Sequence, residues 1–146
     1  MKREFQKITI IKVRKPSEKD VNKDLQWLST SLGLFGDRDK ERSCFRVFVE
    51  LIKSSRKNRA MTSDEIAFKS NLSRATVIHH LNKLIESGLV VHMENKYILR
   101  ANSLEELLNE IRKDMLRVLD DIKTVSEDLD NELGINKRRN QRVISD

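Results

Sequence analysis

Residues 63–91 read SDEIAFKSNLSRATVIHHLNKLIESGLVV. Residues 63–70 (SDEIAFKS) have the length of a short helix, with Ile66, Ala67 and Phe68 expected to pack inward. Asn71 and Leu72 make a turn, and Ser73 can cap the helix that follows. That helix runs to about Ser87, where Gly88 supplies the left-handed residue that helix ends often need. At about 100° per residue, with Val77 at zero, Leu81 and Leu84 fall at about 40° and −20°, so the buried arc centres near 40°. On the opposite side lie His79 (about 200°), Lys83 (about 240°) and Thr76 (about 260°), flanked by Ala75 and Asn82. That face is polar and cationic. His80 falls about 100° from the core centre, a shoulder position. Adjacent helical residues diverge too far to chelate one ion easily, so His79 and His80 are not expected to form a metal site.

Working outward, Leu89 to Met93 and Lys96 to Arg100 are two strand-like runs around Glu94-Asn95, a hairpin. A preceding helix is expected from about Asp37 to Ser55, buried through Cys44, Phe45, Val47, Phe48, Leu51 and Ile52. Cys44 lies on that face and reads as a small core residue rather than a nucleophile. The loop between, SSRKNRAMT, is basic.

Helix, short helix, turn, helix and hairpin make the winged helix-turn-helix arrangement. The stretch from about residue 43 to 100 resembles the winged-helix domains of ArsR-type transcriptional regulators. The resemblance rests on Leu72, Ser73, Thr76, Val77, His80, Leu81, Leu84, Gly88, Leu89 and Val90, which fill a Leu-Ser-x-x-Thr-Val-x-x-His-Leu-x-x-Leu-x-x-x-Gly-Leu-Val pattern. It covers under half the chain. It implies a DNA-binding domain whose second helix reads the major groove, about 12 Å wide. Many such regulators sense metals through a Cys-x-Cys motif on the first helix of the pair or Asp/His pairs on the last helix. Here the first region, TSDEIAFKSN, has no cysteine and the last helix no histidine, so metal sensing is not carried over.

Residues 103–133 hold the most regular pattern. Leu104, Leu108, Ile111, Met115, Val118, Ile122, Val125 and Leu129 alternate steps of four and three, the 3.5-residue period of a coiled coil. Asp114, Asp121 and Asp128 flank the stripe and read as solvated. Leu107, Leu116 and Leu119 widen it near its start, where the helix is expected to pack on its own domain as well.

At the other end, residues 4–13 (EFQKITIIKV) are rich in β-branched residues and read as a strand. A helix is expected to start at Ser17, with Asp20 as a capping-box partner and an apolar stripe of Val21, Leu25, Leu28 and Leu32. The organisation expected is therefore fourfold. Residues 1–36 form an N-terminal strand and helix, a possible dimer extension through strand exchange. Residues 37–102 form the winged helix-turn-helix, 103–133 the dimerisation helix and 134–146 a basic disordered tail. The fold class is mainly α with a small β wing.

Composition agrees. Four glycines and one proline in 146 residues favour helix. One cysteine excludes an intrachain disulfide framework. No apolar run spans a membrane and no secretory segment stands out, so a cytoplasmic protein is expected. Charge is split: residues 103–133 carry −6, residues 1–102 carry +9 and the tail +3. A basic body favours polyanions.

The expected function is a homodimeric regulator binding double-stranded, pseudo-palindromic DNA, its recognition helices about 34 Å apart. Ser73, Arg74, Ala75, Thr76, His79 and Lys83 would meet the groove, and Asn95 and Lys96 the backbone. Arg56, Lys57 and Arg59, with Lys137, Arg138, Arg139 and Arg142, read either as added phosphate contacts or as an ordinary basic loop and tail. No catalytic spacing, cofactor motif or metal cluster is recognisable, so neither an enzyme nor a cofactor is expected. The alternative is a winged-helix protein-interaction module whose coiled-coil helix recruits a partner.

Overall fold

Residues 5–36 and 42–135 are described by a computed structural model. The helix expected to start at Asp37, the first residue of the expected strand and tail residues 136–146 all touch positions outside them. The elements are α1 (Val21–Ser31), α2 (Ser43–Arg56), β1 (Met61–Thr62), α3 (Ser63–Ser70), α4 (Arg74–Ser87), β2 (Val90–Met93), β3 (Lys96–Leu99) and α5 (Leu104–Leu133). The chain divides into two units, residues 1–111 and 112–146.

The first unit is built on α2, which packs against α3, α4 and β3. Val47, Phe48 and Leu51 of α2 meet Ile66 of α3 and Val77, Leu81 and Leu84 of α4 in the buried core. Leu107 and Ile111, on the first turns of α5, are buried as well. The helix-turn-helix angle is held by Arg46 of α2, whose guanidinium donates to the Ser70 carbonyl and, at 3.3 Å, to the Asn71 carbonyl. Those carbonyls end α3 and have no helical partner, so a cation there is doubly favourable.

The wing is a three-stranded antiparallel sheet in the order β1-β3-β2. The hairpin pairs Val90 with Leu99 and Met93 with Lys96, leaving Glu94-Asn95 as a two-residue loop. The added strand, β1, pairs Met61 with Tyr97. It escapes sequence reading because two residues show no alternation.

α3 begins with a reciprocal cap. The Thr62 hydroxyl accepts from the Glu65 N–H at 3.1 Å, and Glu65 Oε1 accepts from the Thr62 N–H at 3.2 Å. That Thr62 N–H, helped by the Arg59 guanidinium and opposed by burial, holds the Glu65 carboxyl below the usual glutamate range. A depressed folded-state value contributes stability above the unfolded value, and this is lost as pH falls through the folded one. The stability advantage of the wild type over Glu65→Gln is therefore expected to shrink between about pH 6 and about pH 3. Urea midpoints at the two pH values measure it.

Several local expectations change. Residues 5–13 form no strand: Lys7 N donates to the Glu86 carbonyl at 3.1 Å and Ile11 N to the Ser31 carbonyl at 2.8 Å, so the segment lies along helices rather than a sheet edge. α1 starts at Val21, not Ser17, because Asp20 is its cap and accepts from Asn22 N at 2.8 Å. Its stripe is buried only towards its end: Leu32 is buried and Val21 is 81% exposed. Phe68 points outward and is 88% exposed; Ile66 alone of the expected three is fully buried. Asp114 is buried rather than solvated, and the Arg117 guanidinium one turn on pairs with it, as a desolvated carboxylate requires.

In the second unit, the α5 residues Val118, Ile122, Val125 and Leu129 are 43–56% exposed. Leu116 and Leu119, expected to help near the start, are exposed too.

Candidate nucleic-acid interface

α4 is set by signals at both ends. The Ser73 hydroxyl accepts from Thr76 N at 3.1 Å and donates to Thr76 Oγ1 at 2.9 Å. At the other end Gly88 takes φ 88°, and its N–H closes the last turn onto the Ile85 carbonyl. Between the caps, Val77, Leu81 and Leu84 are fully buried. Arg74, Ala75, His79, Asn82 and Lys83 are exposed and Thr76 half-buried. The cationic face thus stands opposite the core, as the 100° rotation per residue requires.

Arg74 is exposed but engaged locally. Its Nε lies 3.4 Å from Asp64 Oδ1 and 3.5 Å from Ser63 Oγ. An ion pair this open to solvent contributes little to stability. Thr76 and Ser73 satisfy each other at the helix start.

The two histidines differ more than a shoulder position implies. Their rings meet edge to face, centroids 5.2 Å apart. His79 is exposed, while His80 is only 6% exposed and its Nε2 lies 2.6 Å from Ser43 Oγ at the start of α2. The wheel places His80 beside the core; α2 closes over that side and makes it a packed polar link between the two helices.

At the wing, Asn95 and Lys96 are exposed at the tip. His92 and Tyr97, paired across β2 and β3, stack with centroids 4.2 Å apart and planes 6° from parallel. This stack holds the hairpin in shape behind Lys96.

The sequence reading missed the neighbour of α4's second half. The segment around Gln6 and Lys7 docks there. Gln6 Nε2 donates to the Ser87 carbonyl at 3.1 Å, and Lys7 N donates to Glu86 one residue earlier. These contacts bridge about 80 residues of chain, and no local pattern announces them.

Among the described residues, no helix is long and apolar enough to cross a membrane. Nor does any group of three or more His, Cys, Asp or Glu among them suit a metal ion. No curated protein and no solved structure matches the chain at a significant level. Residues 49–91, from mid-α2 to the start of the wing, match the family model described as bacterial regulatory protein, arsR family. Cap, terminator and outward cationic face fall within that match and β2 begins at its end, so residues 49–91 are similar to the helix-turn-helix domain of ArsR-family DNA-binding transcription regulators.

Proposed function

We propose that the chain is a sequence-specific regulator that binds double-stranded DNA as a homodimer, with α4 in the major groove. The carrying observation is the exposed face of Arg74, Ala75, His79 and Lys83 on a helix whose other side is fully buried. Lys83 and His79 reach base edges or phosphates, Arg74 and Ser73 the flanking backbone, and Asn95 and Lys96 the phosphates beside the wing. Leu104, Leu108, Ile111, Met115, Val118, Ile122, Val125 and Leu129 form the repeat that joins two copies. The exposed Val118, Ile122, Val125 and Leu129 supply the part of it left open in a single chain. A two-fold axis then calls for a pseudo-palindromic site.

A duplex selected from a random pool provides the ligand. Its affinity, followed by fluorescence anisotropy, is expected to fall with salt along a log–log slope of about −5, as three phosphate contacts per protomer give at about −0.9 each. Lys83→Ala with His79→Ala is expected to weaken binding at least tenfold, at about 1–3 kcal/mol per lost contact. Unchanged affinity would remove this face from the interface.

A second reading, a protein-interaction module, draws on Phe68, an aromatic 88% exposed on α3 and a residue type favoured as a binding anchor. A flat salt response towards every duplex would favour it.

A further inference from the structure

The reading face of α4 does not open only onto solvent. His79, Asn82 and Lys83 line one side of a cleft of about 460 Å³. The opposite side comes from Lys7 and Thr9 of the amino-terminal segment, and the floor includes Leu32, Leu34 and Cys44, all buried. The volume lies in the range of small-molecule sites, roughly 300–1,000 Å³.

We propose that this cleft binds a small organic carboxylate and that its occupancy keeps DNA off α4. Charge selects the head group. Lys7 and Lys83 are two ammonium groups, with the His79 ring as a further donor, against a single carboxylate, Glu86, among the described lining residues. An anion is attracted to such a surplus, and the Thr9 hydroxyl and Asn82 amide can orient it. The floor selects the body. Three apolar side chains offer nothing to a bare phosphate but take up a ring or short alkyl chain, whose burial is favourable by about 25 cal/mol per Å².

The wall is built in advance. Lys7 N and Gln6 Nε2 tie the segment to the end of α4 at 3.1 Å each. On the loop after α1, Gly33 has φ 73°, and a Cβ there would stand 2.6 Å from Thr9 Cγ2. A glycine at this positive φ lets the loop after α1 approach the Thr9 wall this closely. Exclusion of DNA follows from shared residues: Lys83 and His79 cannot serve a bound carboxylate and a base edge together. The exclusion, but not the binding, rests on the reading proposed above.

The test uses the full chain and sodium benzoate as probe, with sodium phosphate and sodium chloride at equal ionic strength as controls. In ¹H–¹⁵N spectra, benzoate is expected to shift the amides of Thr9, Gly33, Leu34 and Asn82 saturably, and phosphate is not. Lys83→Gln, a solvent-exposed change, is expected to weaken benzoate at least fivefold. No saturable shift at these amides, or an equal response to phosphate, overturns the site. Saturating benzoate is further expected to weaken binding to the selected duplex at least threefold, and less so in Lys7→Gln. Unchanged DNA affinity at saturation overturns the exclusion. A chain that takes benzoate but binds no duplex at all refutes the DNA reading and leaves the cleft standing.

Discussion

Ile122→Glu combined with Val125→Glu is expected to give a folded monomer that binds DNA at least a hundredfold more weakly than the wild type. Both side chains are 56% exposed in the single chain, so their replacement disturbs no packed core. In a parallel pair of α5 helices each would be buried against its copy, at about 1.5–3 kcal/mol per side chain. Two positions on two chains make this a loss of at least about 6 kcal/mol, before four like charges are forced together. A dimer held at micromolar concentration by about 8 kcal/mol does not survive it. One protomer then holds only half a site, and the linked second contact is lost. Sedimentation velocity reads the mass, and circular dichroism shows that the helices of the first unit persist. A double variant that still sediments as a dimer would place the interface elsewhere.

Leu81→Ala is expected to destabilise the first unit by about 2–5 kcal/mol, through the lost transfer energy and the cavity left behind. Leu81 is fully buried, facing α2 from the middle of α4. Small domains hold about 5–15 kcal/mol in total, so this variant is near the edge of unfolding. Its neighbour Asn82 is exposed, and Asn82→Ala is expected to stay within about 0.5 kcal/mol of the wild type. Urea unfolding of the pair therefore tests the orientation of α4 independently of any ligand. Equal losses at both positions would mean that the helix is rotated.

Much of the binding domain was legible because its signals are short. Ser73 caps a helix three residues ahead of its partner N–H, and Gly88 ends it where φ must be positive. Val77, Leu81 and Leu84 recur at helical spacing, so the buried and outward faces of α4 could be separated before any tertiary contact was known. The hairpin around Glu94-Asn95 and the long α5 were readable for the same reason.

What failed were inferences that needed a neighbour. β-branched residues in 5–13 suggested a strand, but a strand needs an edge to pair with, and the segment met helices instead. Phe68 looked like core by composition; the surface of α3 it occupies faces solvent. His80 was read one step too shallow because Ser43, 37 residues earlier, closes over it. Asp114 follows the heptad's acidic flank yet is buried with Arg117 as its partner.

By itself, then, the sequence determined the elements from α3 to the hairpin, the capped helix α4 and its cationic face, since each depends on residues within about one helical turn. Tertiary structure alone decided what stands beside that face. The Arg46 clamp on the turn spans 24 residues, and the Gln6 tether that walls the cleft spans 81. Contacts at that separation depend on where whole helices pack, which no periodicity along the chain records.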